Sequence, residues 1–349
     1  MRSNLKTAIC FGLAMSGVLI ASESGAASSQ PAPPNSIDFS KDEAACKRIF
    51  FDGRDLSSNY ASCSFAKVAT ADNSQLPVAA DTSHVSNDRI DGVGKNYETA
   101  RMWYEKAAVA GDVTAMYNLG LFYSRGNGVT QNYVEARSWY KKAADGGDTD
   151  AMNNLGNLYQ DGLGGKQDYN AAKALFEKAA NNGNAFAMAN LAVMYNAGRG
   201  TKINYQTSLK WFEKSAALNN DFAQNSLGII YRESIGVKQN LKLSRSWFEK
   251  AAALGNFDAM NSLGVMLANG QGGSQDLEAA IKSYEKSAAG GNTLAMNNLG
   301  SMYVDGNGVK QDLVSAKNWF EKSAAAGDAT AMRRLAEMYS PDDGRTKND

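Results

Sequence analysis

The stretch AMNNLGSMYVDGNGVKQDLVSAKNWFEKSAAAGD, residues 295–328, decides the fold because it recurs. Its phrase LGSMY at Leu299–Tyr303 returns as LGLFY at 119–123, LGNLY at 155–159 and LAVMY at 191–195. It returns again as LGIIY at 227–231, LGVML at 263–267 and LAEMY at 335–339. The step is 36 residues each time, without one insertion. Self-similarity at such a period marks one supersecondary unit that buries its apolar face against copies of itself.

Each unit contains two helix patterns. The first follows Asp112, Asp148, Asn184, Asn220, Asn256, Asn292 or Asp328, short polar residues that cap a helix by accepting backbone N–H bonds. Ala115, Leu119, Phe122 and Tyr123 then share one stripe. Gly120 and its equivalents Gly156, Gly228, Gly264 and Gly300, with Ala192 and Ala336 in two units, predict close approach of a neighbouring helix. A glycine loop follows, such as SRGNGV or QDGLGG. Glycine permits the positive φ of a helix C-terminus. These loops lack the Lys-Ser/Thr and the preceding strand of a phosphate loop. The second helix starts at Asn132, Asp168, Asn204, Asn240, Asp276 or Asp312 and carries aromatic pairs such as Trp139-Tyr140, Trp211-Phe212, Trp247-Phe248 and Trp319-Phe320. A stacking platform for bases or sugars is one reading of these rings. Their fixed phase beside a small-residue column predicts core.

The combined phrase A-M-x-N-L-G-x-x-Y, G-x-G-V-x-Q-N/D, A-x-x-W-F/Y-E-K-A-A, G-D/N resembles the Sel1-like repeat, a relative of the tetratricopeptide repeat. The resemblance covers about 240 of 349 residues. It implies an all-α, right-handed α/α solenoid of 36-residue helix–loop–helix units, acting as an adaptor for other proteins. The array is read over 96–340 as a half unit, six full units from Asp112 to Gly327 and a final helix, with 341–349 a polar tail. The cysteines that staple some members of the family are replaced here, for example by Ala144 and Met152.

Upstream, RIFFDGRDLSSNYASCSFAKVA echoes YSRGNGVTQNYVEARSWYKKAA. Residues 41–70 are read as a diverged repeat, with Cys63 falling on Ala136 and Cys46 on Leu119. A Cys46–Cys63 disulfide and two buried free thiols are the alternatives, and an oxidising compartment favours the disulfide. Residues 28–40 and 71–95 are read as linkers. Residues 1–27 read as an export signal: Arg2 and Lys6, then the apolar TAICFGLAMSGVLIA, then small residues at SGAAS. The other reading is a retained anchor, although the run is short for a membrane span. The expectation is an exported protein of a Gram-negative bacterium, periplasmic or secreted, without a stable membrane span after cleavage.

Lysine plus arginine equals aspartate plus glutamate, 36 each, so no basic field exists to hold nucleic acid. The single histidine, His84, lies outside the repeats. Repeat residues therefore make no Ser-His-Asp site, Cys-His site or two-histidine zinc site. The Ser-x-x-Lys tetrads at Ser64–Lys67, Ser138–Lys141 and Ser283–Lys286 are scattered and lack a K-T-G partner. No catalytic, metal or cofactor site is expected. A cell-wall or β-lactam-acting hydrolase is the alternative.

A solenoid of this kind binds on its concave surface, which the resemblance assigns to the first helices. There one column reads Tyr117, Asn153, Ala189, Asn225, Asn261, Asn297, Arg333, and the next Asn118, Asn154, Asn190, Ser226, Ser262, Asn298, Arg334. Asparagine is a mediocre helix former, so its recurrence needs a reason. Its carboxamide can clamp a peptide backbone, or bond between neighbouring repeats. Arg333 and Arg334 can hold a carboxylate or simply solvate the last helix. A partner protein or peptide is expected on this surface rather than a small-molecule substrate.

Overall fold

The computed structural model describes residues 96–340, which form 14 α-helices. The expectations for the export signal, the linkers, Cys46, Cys63 and the tail lie outside the described residues. The helices fall into two compact units. The first takes in 96–190 and 197–202: α1 (Tyr97–Val109), α2 (Val113–Arg125), α3 (Tyr133–Asp145), α4 (Thr149–Asp161), α5 (Tyr169–Asn181) and the start of α6 (Ala185–Ala197). The second takes in 191–196 and everything from Ile203: α7 (Tyr205–Ala217), α8 (Asp221–Glu233), α9 (Leu241–Ala253), α10 (Phe257–Ala268), α11 (Leu277–Ala289), α12 (Thr293–Asp305), α13 (Leu313–Ala325) and α14 (Ala329–Tyr339).

All 14 helices open on an asparagine or aspartate whose side-chain oxygen accepts a first-turn N–H, from Asn96 on α1 to Asp328 on α14. Each such cap contributes about 1 kcal/mol. Within each unit, a first helix packs on its second helix: α2 on α3 and α4 on α5, then α8 on α9, α10 on α11 and α12 on α13. Second helices meet the next first helix in the same way, as α3 meets α4 and α9 meets α10. The result in both units is a stretch of α/α solenoid.

The glycine of the Leu-Gly phrase makes the hairpin close. A Cβ added to Gly156, Gly228 or Gly264 would lie 2.6 Å from the ring of Phe176, Phe248 or Tyr284 respectively. The ring therefore lies flat on helix backbone. Phe176, Phe248 and Phe320 are at most 1% exposed, and each such burial is worth roughly 1.5–3 kcal/mol.

The aromatic pair divides, which departs from the expectation that both rings are core. The second ring is buried in every pair. The first, at Trp139, Trp211, Trp247 and Trp319, is half-buried and covered by the lysine three residues later. Lys142 Nζ stands 3.7 Å from the Trp139 ring centre and Lys250 Nζ 4.1 Å from that of Trp247. In the four units with this tryptophan, the lysine three residues later, Lys142, Lys214, Lys250 or Lys322, thus serves the indole as well as the helix end.

The loops are pinned at three points. The glutamine of G-x-G-V-x-Q turns back and donates to a carbonyl at the end of the first helix, as Gln131 does to Ser124 O and Gln311 to Val304 O. The next backbone N–H reaches the conserved-phase tyrosine carbonyl, Asn132 N to Tyr123 O and Asp312 N to Tyr303 O. The second loop glycine has φ between 63° and 75° at Gly128, Gly164, Gly200, Gly236, Gly272 and Gly308. It sits against the first residue of the preceding second helix. A Cβ on Gly200 would meet Tyr169 at 2.8 Å, and one on Gly308 would meet Leu277 at 2.6 Å.

Candidate functional site

The candidate surface is the first-helix side of each unit. In the first unit, Asn153, Asn154 and Asn157 on α4 and Asn190 on α6 are all buried. Asn190 Nδ2 donates to Asn153 Oδ1 at 2.9 Å and to Asn157 Oδ1 at 3.1 Å. Asn153 Nδ2 contacts Asn154 Oδ1 at 3.4 Å. In the second unit, Asn298 Nδ2 donates to Asn261 Oδ1 at 3.0 Å. Asn297 Nδ2 donates to Asp328 Oδ1 at 3.0 Å. The structure therefore brings Asn153, Asn154 and Asn190 together, and Asn261 with Asn298. Asn225 is buried in α8. Asn118 is half-buried in α2, and Asn297 and Asn298 are half-buried in α12. Arg333 and Arg334 are exposed on α14 and pair with Glu337.

The donors and acceptors follow an offset of 37 residues, one repeat plus one position. A residue in the second column reaches back to the first column of the preceding repeat. Where the second column carries serine the rung is missing: Ser262 stands 37 residues after Asn225, and Asn225 Oδ1 is buried without a partner. Asn297 Oδ1 is likewise unpartnered, and its position 37 residues on is Arg334.

A second set of links runs through the helix caps. Asn184, Asn256 and Asn292 accept first-turn N–H groups with their oxygens, and their amides donate to the preceding repeat. The acceptors are Asp150 at 2.7 Å, Asp221 at 3.1 Å and Asp258 at 2.9 Å. An aspartate cap cannot make this second bond, which gives the Asn/Asp choice in the G-D/N phrase a physical meaning.

Sequence reading missed these links, because a cap and an acid 34 or 35 residues earlier show no shared phase. It also missed a swap on the second helices. Arg137 Nη2 donates to Leu158 O at 2.7 Å and lies over the Tyr159 ring at 4.4 Å, and Nη1 of the same residue fills the space over Gly165. Arg245 does the same over Gly273 and donates to Ser274 O at 3.3 Å. Other loops carry Val129, Val237 or Val309 where these have glycine. The paired appearance of arginine and glycine was the available signal.

Burial sets the electrostatics. Asp258, half-buried and facing Asp221, has its carboxyl pushed up to about 6 by burial, against the pull of the Asn292 amide. Tyr140 is pushed up to about 12 by burial, with bonds to Ser124 and Asn154 pulling it back. Burial raises Tyr117 as well. Both phenols are neutral at neutral pH. Among the described residues, no group of three or more His, Cys, Asp and Glu is placed to hold a metal ion, and no helix is long and apolar enough to cross a membrane. An open hollow of about 540 Å³ lies beside Arg137, Tyr159, Gln167 and Tyr169.

The Sel1 repeat model matches eight consecutive segments, 88–112, 113–148, 149–184, 185–220, 221–256, 257–292, 293–328 and 329–349. The chain is similar to a solved protective antigen of uropathogenic Escherichia coli strains displaying an SLR fold. They share 36% identity over 71% of this chain and 54% of that one, at a TM-score of 0.60. The chain thus spans about half the length of that antigen. It is also similar to a Sel1 repeat protein from Oxalobacter formigenes, at 32% identity over 66% of this chain and 94% of that one, with a TM-score of 0.63. No curated protein matches the chain. Sel1 repeat proteins generally mediate protein–protein interaction. The period, the paired helices, the glycine-to-ring contacts and these matches agree: the chain belongs to the Sel1-repeat family.

Proposed function

We propose that this protein is an exported, non-catalytic adaptor that binds a partner protein or peptide along its first-helix face. The observation that carries this reading is the amide array just described. It presents a polar floor of regular spacing, set by rungs that hold neighbouring helices together. In this reading the buried amides Asn153, Asn154, Asn190, Asn225 and Asn261 fix the spacing. Half-buried Asn118, Asn297 and Asn298 offer remaining hydrogen-bonding capacity to a peptide backbone, and Arg333 and Arg334 take an acidic group at one end. Export rests on residues 1–27. Similarity to an Escherichia coli protective antigen supports a place outside the cytoplasm, in envelope assembly or at the host interface.

The test is cross-linking capture from intact cells, comparing wild type with Asn118→Ala/Asn298→Ala/Arg333→Ala/Arg334→Ala. Amide exchange on the purified complex then locates the footprint. The reading expects loss of capture in the variant and protection on α2, α12 and α14. Protection confined to the second helices would sink it.

A further inference from the structure

The first and last helices among the described residues both expose large apolar side chains. α14 is a first helix with no second helix after it among the described residues. Its exposed side chains include Arg333, Arg334 and Glu337, with Arg333 Nη1 2.8 Å from Glu337 Oε1, together with Met332 at 49% and Tyr339 at 63% exposure. The preceding repeat has Asn297, Asn298 and Ser301 in place of the two arginines and the glutamate.

α1 is the converse case, a second helix with no first helix before it among the described residues, and its outer face is apolar. Met102 is 48% exposed, Trp103 57% and Val109 88%. Met102 stands in a column otherwise filled by Ser138, Ala174, Lys210, Ser246, Lys282 and Asn318. Val109 stands where the other repeats have Asp145, Asn181 or alanine. Positions 102, 106 and 109 share one stripe of the helix, and Lys106 folds over the Trp103 ring at 4.3 Å.

We propose that the chain's own residues 41–70 cover this face of α1. That segment echoes the repeat and supplies the apolar side chains Ile49, Phe50, Phe51, Phe65 and Val68. It precedes α1 in the chain, on the side where a preceding repeat belongs. The stretch between them, 71–95, is 25 residues long. That many residues can span well beyond a helix diameter of about 10–12 Å. The segment therefore supplies the neighbour that α1 lacks and ends the array as a cap.

The test uses the full chain with the photo-cross-linker p-benzoylphenylalanine at position 102, mixed one to one with the same protein labelled with ¹⁵N. The proposal expects cross-linked peptides joining position 102 to residues 41–70, each wholly light or wholly heavy. Mixed light–heavy peptides would overturn it in favour of a second copy of the chain. Cross-links landing elsewhere, or none, would overturn it outright. The probe at position 109 repeats the measurement at a second place, and circular dichroism verifies that both proteins keep their helix content. In Met102→Asp/Val109→Asp, trypsin should cut after Lys47, Arg48 and Arg54 at least tenfold faster with unchanged circular dichroism. An unchanged cleavage rate counts against the cap.

Discussion

Asn190 Nδ2 sits 2.9 Å from Asn153 Oδ1, joining two first helices across 37 residues, and Asn298 and Asn261 repeat the bond at 3.0 Å. The bond ties adjacent columns of successive repeats. Truncating one partner leaves the other buried without a replacement, at a cost of about 1–3 kcal/mol. Asn261→Ala should lower the unfolding free energy measured in urea by that much, while Ser226→Ala, outside any Asn–Asn rung, should change it by about 1 kcal/mol or less. Equal effects would deny the rung its energetic role.

The converse substitution should stabilise. Asn225 Oδ1 is buried without a partner, and the position 37 residues on is Ser262. Ser262→Asn places a carboxamide where Asn190 and Asn298 stand in their repeats. A gain of about 0.5–1.5 kcal/mol is expected, read as a raised melting temperature. No gain, together with loss in Asn225→Ala, would mean that Asn225 is already served by water.

The second loop glycine should be the least replaceable residue of the loop. At Gly308, φ is 72° and an added Cβ would lie 2.6 Å from Leu277. Gly308→Ala meets both left-handed strain and a clash, each of order 1–3 kcal/mol. Gly327, also at positive φ but with nothing within 4 Å of an added Cβ, meets strain alone. Gly327→Ala should therefore cost clearly less in chemical denaturation, and equal costs would refute the stacking role of the loop.

Asp258 should give a pH dependence of defined sign. Its carboxyl titrates near 6 when folded, raised by burial from an unfolded value of 3.8. Between about pH 4 and 6 the folded state holds a proton that the unfolded chain has released. The contribution of Asp258 to stability therefore falls as pH rises through that window, and remains unfavourable above it. The rise from 3.8 to about 6 corresponds to about 3 kcal/mol at full strength, and solvent screening at this partly exposed group reduces it to about 1–2 kcal/mol. Asp258→Asn should be more stable than wild type by that amount at pH 7.5 and equal to it at pH 4. A constant difference across the range would remove the titration from the account.

The helices were legible because cap, stripe and glycine each recur at the 36-residue phase and each has one local cause. Asn132 caps whatever its neighbours do, and Gly156 must be small for any ring that faces it. The site was legible only in outline. Reading along a column compares Asn153 with Ala189, whereas the bond runs from Asn153 to Asn190, between columns. The fate of Trp139 was hidden similarly: its phase matches that of Tyr140, and only the three-dimensional placement of Lys142 shows which ring meets water. Arg137 and Gly165 are uninformative alone, since each is explained only by the space the other fills.

The pinned loops carry a consequence for how such a chain can change. Gln311 holds one end of its loop, Gly308 seats the middle on Leu277, and Asp312 starts the next helix. A single inserted residue would detach one of these anchors and shift the following asparagines out of the 37-residue register. Gain or loss of a whole 36-residue block disturbs neither. The length of the array is therefore quantised: it can grow or shrink by duplication and excision of complete repeats, and the extent of its first-helix face changes in the same whole steps.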